Sequence, residues 1–406
     1  MKKVAHTLRN VYGIGQHGPN KDVTLCIATG HFHLATIFFA TIAAGGIYSA
    51  STPSSTPKEL ATQLSQVDAK AIFCTQDTKP TALAAAKLVN LDPSRVLVLG
   101  TGHDFELVSG QDTGKVIPLS TSLLDWPRPT SPAELEESII CLIFSSGTTG
   151  APKACRISHA NMVSEACSIL DAQRRADPDL TWGKRTVAHL PVSHIAGIQS
   201  YFVNQSYAGG TVYWMVRFDF AKFLEYCKKY AVTGFFSVPP IYLLIAKSPA
   251  VTDQFDSVLM AISGAAPMGP DLQMAVSKKL GRGKAQVGQV WGLSETTGAM
   301  TSVVRGAEND VTGSVSMLVA NGQARIVDDD GKDVEPGQPG EIWVRGPQVT
   351  KGYWKNEVAN REAFVDGWFC TGDVGVFRDG KFYIVDRKKV KYPTRRGSRH
   401  RDWDAY

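Results

Sequence analysis

Long apolar runs are absent from this sequence. The most apolar window, Phe32–Ile47, is shorter than a bilayer span and ends in Gly45-Gly46, so it reads as a buried helix. The basic start, Met1-Lys2-Lys3, leads into His6, Arg9 and Asn10 instead of an apolar segment, so neither a secretory leader nor a transmembrane segment is expected. Ordered cysteine spacing is missing as well. The seven cysteines (Cys26, Cys74, Cys141, Cys155, Cys167, Cys227, Cys370) include no C-x-x-C pair, and an odd, scattered set suits reduced thiols in an intracellular, cytoplasmic setting. Cys155 reads as a packed thiol and not as a nucleophile. His31 and His33 have no third ligand near them and read as polar residues at a helix start. Neither sign of charge dominates. The net charge is +5, with the basic excess gathered at Arg387-Lys388-Lys389, Lys391, Arg395-Arg396 and Arg399-His400-Arg401. This run reads as a solvated tail, so no nucleic-acid partner is expected. The final Asp404-Ala405-Tyr406 is not a peroxisomal address.

What is present is ordinary globular material. Hydrophobic residues make up 43% and charged residues 20%, which argues against disorder, and 406 residues suit one large domain or two to three subdomains. Val23–Ala28, Ala69–Cys74 and Val96–Leu99 read as strands, and Leu34–Ala44, Lys58–Val67 and Ala82–Val89 as helices. Strands alternating with helices predict an α/β fold with a parallel sheet. Pro127–Pro132 is a connector, Ile139–Phe144 a buried strand, and Val187–Leu190 a further strand. Ser158-His159-Ala160-Asn161 opens a helix with Ser158 as its cap. From Gly313 the pattern becomes alternating, at Ala324–Val327, Glu341–Val344, Val374–Phe377 and Phe382–Val385, and predicts a small antiparallel β subdomain. Asp328-Asp329-Asp330-Gly331 and Arg378-Asp379-Gly380 read as its turns. The aspartate run lacks calcium-loop spacing.

Three stretches carry chemistry. Phe144-Ser145-Ser146-Gly147-Thr148-Thr149-Gly150-Ala151-Pro152-Lys153 follows a strand with hydroxyls, glycines and a lysine, the residue types that turn N–H groups, O–H groups and a positive charge onto a phosphate. It is not the ordinary nucleoside-triphosphatase loop, because Ala151 and Pro152 separate the last glycine from Lys153. Val290-Trp291-Gly292-Leu293-Ser294-Glu295-Thr296-Thr297 places a flat ring, a hydroxyl and a carboxylate within five residues; such groups can stack on a purine, bond a phosphate and hold Mg²⁺. Trp368-Phe369-Cys370-Thr371-Gly372-Asp373 ends in a carboxylate with two acceptor oxygens. Between the first two lies a small-residue loop, Ala261-Ile262-Ser263-Gly264-Ala265-Ala266-Pro267-Met268, which lets backbone approach a flat ligand.

In this order the stretches resemble the signatures of the adenylate-forming superfamily: acyl-CoA synthetases, 4-coumarate-CoA-type ligases, luciferases and peptide-synthetase adenylation domains. The resemblance covers nearly all of Val23–Lys389, with Ala154 where the family usually has Gly, Trp291 for Tyr and Ser294 for Thr. It implies a large AMP-binding domain over residues 1–385, made of two parallel-sheet α/β subdomains (about 20–130 and 138–310) and an antiparallel β subdomain (311–385). Residues 386–406 would then be a hinge remnant and a divergent basic tail, since the family's compact C-terminal domain does not follow Lys389. The resemblance implies Lys153 and Glu295 as catalytic residues, with Glu295 also the Mg²⁺ carboxylate. It implies nucleotide contacts from Ser145, Ser146, Gly147, Thr148, Thr149, Gly150, Gly264, Ala265, Ala266, Trp291, Gly292, Ser294, Asp373 (on the ribose hydroxyls) and Arg387. It implies an acyl pocket bordered by His194, Phe236, Ala265 and Gly292. Phe235 and Tyr242 supply bulk that reads either as tunnel wall or as core.

The activity so implied is a two-step acid–thiol ligation with ATP, Mg²⁺ and CoA. A carboxylate attacks the α-phosphate to give an acyl-adenylate, and a thiol then takes the acyl group, in a setting such as specialised metabolism. Two other readings stand beside it. One is a nucleotide- or acyl-binding remnant without turnover. The other is an adenylating half-enzyme that serves an acyl-carrier partner.

Overall fold

The computed structural model describes residues 1–112, 114–126, 128–145, 152–176, 184–303 and 310–388. The chain opens with helix α1 (Lys2–Asn10), whose Val4, Ala5 and Leu8 are buried. Strand β1 (Val23–Ile27) is buried at every position, as expected of a strand covered by helices on both faces. It is followed by α2 (Leu34–Ala43), β2 (Ile47–Ser51), α3 (Pro57–Val67), β3 (Ala69–Cys74), α4 (Lys79–Leu88) and β4 (Val96–Leu99). The start of α3 is locally encoded. Thr56 and Glu59 form a reciprocal capping box and Pro57 takes the first turn. The short strands β5 (Leu107–Ser109) and β6 (Val116–Ile117) and helix α5 (Pro132–Glu137) lead to β7 (Ile139–Ser145) and β8 (Lys153–Ser158).

These eight strands form one sheet in the order β6-β5-β4-β3-β1-β2-β7-β8. Strands β1 to β4 and β7 run parallel, and β8 folds back antiparallel on β7. Alternate residues serve opposite faces. Val23, Leu25 and Ile27 pack with Leu60, Leu64 and Ala82 of α3 and α4, while Cys26 joins Leu34 and Phe38 of α2 and Leu8 of α1 on the other side. The sequence reading has neither α1, β2 nor β8. It also divides the α/β region before residue 138, whereas β7 pairs with β2 through Tyr48↔Cys141 and so completes the first sheet. A buried apolar run such as Ile139–Phe144 carries no mark of its neighbour, and only the pairing assigns it.

The next layer begins with the long helix α6 (His159–Ala176) and β9 (Arg185–Ala188). A helical stretch follows, α7 (Ile195–Gly197), a π-helical turn at Ile198–Val203 and α8 (Asn204–Ala208). Strand β10 (Thr211–Trp214) pairs parallel with β9. Beyond α9 (Phe220–Lys229), strands β11 (Gly234–Ser237), β12 (Met260–Ser263) and β13 (Val287–Gln289) form a parallel trio, with α10 (Pro239–Lys247) and α11 (Pro270–Ser277) between them. Phe223, Phe235, Tyr242 and Phe255 fill the core here, so Phe235 and Tyr242 are packing residues.

Two ribbons, β14 (Gly292–Leu293) with β15 (Gly298–Ala299) and β16 (Thr301–Ser302) with β17 (Met317–Leu318), join this layer to an antiparallel sheet. That sheet contains β18 (Gln323–Val327), β19 (Gly340–Arg345), β20 (Phe364–Val365), β21 (Trp368–Arg378) and β22 (Lys381–Arg387), with α12 (Glu357–Ala363) ahead of β20. Asp328–Gly331 is a tight turn, closed by the Asp328 N–H donating to the Lys332 carbonyl. The Trp368–Asp373 signature lies within β21, and Asp386 and Arg387 close β22.

Candidate active site

The hairpin of β7 and β8 ends where Ser145 lies opposite Lys153. The Ser145 hydroxyl faces the Lys153 carbonyl at 3.4 Å. Ser146, Gly147, Thr148, Thr149 and Gly150 lie outside the described residues. The outer edge of β8 is taken by a distant segment. The Arg156 N–H donates to the Gly352 carbonyl and the Trp354 N–H to the Ala154 carbonyl, both at 2.8 Å, which sets Cys155 opposite Tyr353. Tyr353 thereby comes beneath the lysine, with Lys153 Nζ 4.9 Å from its ring centroid.

The Tyr353 hydroxyl donates to Glu295 Oε1 at 2.8 Å. The Thr350 N–H donates to the Glu295 carbonyl at 2.8 Å, so both ends of the residue are held by the segment that pairs with β8. Glu295 sits in a one-turn helix at Ser294–Thr296 and is buried with Ser294. Burial, then the adjacent Glu295 carboxylate, pushes the Tyr353 hydroxyl well above the usual phenol range, so it stays a donor. The same two causes raise the Cys155 thiol. A thiol held protonated is no nucleophile, which agrees with its reading as a packed residue.

Trp291 follows the end of β13. Its backbone N–H donates to Thr301 Oγ1 and its indole Nε1–H to Asp373 Oδ2, both at 2.8 Å. Arg387 lies opposite Asp373 in the β21–β22 pairing, with its Nε 3.5 Å from Oδ1. Burial raises the Asp373 carboxyl, while the indole and the guanidinium pull it down. The structure therefore joins two residues that the sequence reading assigned separately. One of the carboxylate oxygens expected to be free for ribose already holds the indole.

A cavity of about 130 Å³ reaches Trp291, while Lys153, Glu295, Tyr353, Asp373 and Arg387 lie outside its lining. His194, Phe236, Gly264, Ala265, Trp291 and Gly292 all line it, whereas Ala266 and Ser294 do not. His194 caps the short helix α7, its Nδ1 accepting from the Ala196 N–H at 3.2 Å. Gly292 is obligatory, since a Cβ there would lie 1.8 Å from the Gly298 carbonyl oxygen. Three further lining residues, Glu165, Gln199 and Asn204, have no counterpart in the sequence reading, and Tyr353 was missed as well. A glutamate on an amphipathic helix and a tyrosine in a loop carry no local signal of a site.

Residues 1–354 match a family model described as AMP-binding enzyme. A protein of Emericella nidulans provisionally named an acyl-coenzyme A synthetase is 44% identical over 398 residues, covering 96% of this chain and 71% of that protein. 4-Coumarate–CoA ligase 5 of Oryza sativa subsp. japonica is 33% identical over 88% of this chain, which spans 65% of its length. Among solved structures, ATP-bound MatB from Rhodopseudomonas palustris superposes with a TM-score of 0.78 at 26% identity, covering 95% of this chain and 71% of MatB. The amide bond synthetase McbA from Marinactinospora thermotolerans superposes with a TM-score of 0.79 at 25% identity, covering 96% of this chain and 73% of its own.

Proposed function

This chain belongs to the AMP-binding enzyme family, and from that premise we propose that it activates a carboxylic acid with ATP to an acyl-adenylate and passes the acyl group to CoA. The observation that carries the reading is the convergence of Lys153, Tyr353 and Glu295 at the mouth of the β7–β8 hairpin, beside a cavity walled by Gly264, Ala265, Trp291 and Gly292. In the first step an acid oxygen bonds to the α-phosphorus, the bond to the bridging oxygen breaks, and pyrophosphate leaves. In the second a thiolate takes the acyl carbon and AMP leaves. Neither step requires a nucleophile from the protein. Its part is to hold two anions in reach of each other and to offset developing charge. Lys153 would meet the phosphates, while Asp373, fixed by the Trp291 indole and joined by Arg387, would orient the ribose.

Mg²⁺ fits a donor set of this kind. No group of three or more His, Cys, Asp or Glu side chains gathers among the described residues, so a metal here would be held by Glu295 together with nucleotide phosphates and water, the usual manner for this ion. Bound Mg²⁺ would supply charge neutralisation on the phosphates. The Tyr353 hydroxyl on Oε1 keeps the carboxylate in one orientation for that task.

Carboxylate-dependent ATP–pyrophosphate exchange tests the proposal over a panel of aryl and aliphatic acids. Wild-type protein should exchange with at least one acid, and Lys153→Ala and Glu295→Ala should each lower the rate by about a hundredfold or more. Exchange that survives unchanged in both variants would overturn the assignment. Transfer to added CoA, or only to an acyl-carrier protein, identifies the acceptor.

A further inference from the structure

Strand β21 breaks register with β19 just where Asp373 is set. Glu341 pairs with Val374 and Trp343 with Cys370, so two steps along β19 span four along β21, and Thr371, Gly372 and Asp373 bulge out. A bulge frees backbone groups from the ladder, and each then needs another partner. The Thr371 hydroxyl donates to the Ile342 carbonyl at 2.6 Å and accepts from the Asp373 N–H at 3.1 Å. Gly372 takes a φ of +73°, a left-handed backbone that suits glycine. Its carbonyl accepts from the Lys388 N–H at 2.7 Å, and its own N–H donates to Glu341 Oε1 at 3.0 Å. The second oxygen of that carboxylate, Oε2, accepts from the Lys388 ammonium at 3.1 Å. Glu341 therefore bonds the residue before Asp373 and the residue after Arg387. Those two face each other across the β21–β22 pairing, with Arg387 Nε 3.5 Å from Asp373 Oδ1.

We propose that Glu341 is a positioning residue for the nucleotide: by joining Gly372 to Lys388 it holds the Asp373–Arg387 pair at the spacing that accepts a ribose hydroxyl. This rests on Asp373 being the ribose contact of the proposed ligase. Arg387 ends β22 and its side chain is largely exposed, so the ladder alone holds it weakly. The Glu341 side chain is only 10% exposed, which shelters its two charge-assisted bonds from water. Lys388 also meets Asp329 at 3.0 Å, but Asp329 is 81% exposed and lies in the Asp328–Gly331 turn, where an ion pair contributes little. Loss of the Glu341 carboxylate would thus free the Gly372 N–H and let the end of β22 part from the bulge. The effect should fall on discrimination. An acceptor held in place rejects a sugar that lacks its hydroxyl, because the acceptor is then left unpaired, whereas a loosely held one adapts to either.

The test is calorimetric binding of AMP, 2′-deoxy-AMP and 3′-deoxy-AMP, with circular dichroism on the same samples to give the folded fraction. Wild-type protein should prefer AMP over at least one deoxy analogue by about tenfold. Glu341→Ala should bring that ratio close to one. Glu341→Gln keeps an oxygen for the Gly372 N–H but loses the ion pair, and its ratio should lie between the two. Lys388→Met, a change at a partly exposed side chain, should lower the ratio as Glu341→Gln does, and it decides the matter if Glu341→Ala does not fold. A purely structural role would lower stability and leave the ratio among folded molecules unchanged. That result in Glu341→Gln and Lys388→Met would overturn the inference. Asp373→Asn separates the inference from its premise. A ratio lost in Asp373→Asn but kept in the Glu341 and Lys388 variants overturns the inference alone. No preference in wild-type protein, or one kept by Asp373→Asn, sinks the ribose assignment and the inference with it.

Discussion

At the scale of single residues, Tyr353 shows how a side chain without motif value acquires a role. Its ring faces Lys153 and its hydroxyl holds Glu295, so one residue touches both groups assigned to phosphate and metal. Tyr353→Phe keeps the ring and removes the O–H. The expected result is a loss of stability of about 1–3 kcal/mol, from a buried carboxylate deprived of its donor, with exchange reduced at unchanged acid binding. Denaturant titration and exchange kinetics measure the two effects. Undiminished exchange would show that Glu295 does not rely on this hydroxyl. Trp291 behaves in the same way. The sequence marks it as a flat ring, and the fold uses its N–H to hold Asp373 as well.

At the scale of elements, the turn between β8 and α6 ties the hairpin to the segment that carries Tyr353. The cap foreseen at Ser158 forms, the Asn161 N–H donating to Ser158 Oγ at 3.2 Å. Asn161 then does what no cap rule foretells. Its Nδ2 donates to the Pro347 and Val349 carbonyls at 2.8 and 2.9 Å, which anchors the chain just before Tyr353. Asn161→Ala removes four hydrogen bonds of one buried side chain. A destabilisation of about 2–4 kcal/mol is expected, with exchange falling further than the folded fraction does. A fall in exchange that only tracks unfolding, read by circular dichroism on the same samples, would assign Asn161 to stability alone.

At the scale of the whole molecule, the site belongs to no single sheet. Lys153 stands on the edge strand of the first, Trp291 follows the last strand of the parallel trio, and Asp373 lies in the antiparallel sheet. A nucleotide that touches all three should therefore stabilise the molecule as a unit. AMP at about a hundred times its dissociation constant should add about 2.7 kcal/mol to unfolding, read as an upward shift in Tm. Asp373→Asn should diminish the shift, and an unaltered shift in that variant would remove Asp373 from the nucleotide site.

Much of this protein is written in short windows. Ala69–Cys74 and Val96–Leu99 are the strands the apolar runs foretell, Thr56-Pro57 starts its helix by local capping, and the residue types at 291–295 and 373 state which groups can stack, donate or accept. Caps and hydrophobic periodicity act over one or two turns, so they are legible without a fold. Partners are not. The Tyr353–Glu295 bond spans 58 positions, the Trp291–Asp373 bond 82, and the placement of Glu165 against Gly298 depends on α6 meeting a ribbon far along the chain. A polar side chain in a sequence shows what it can donate or accept, but its burial and the group it must satisfy exist only once separate cores have closed around it.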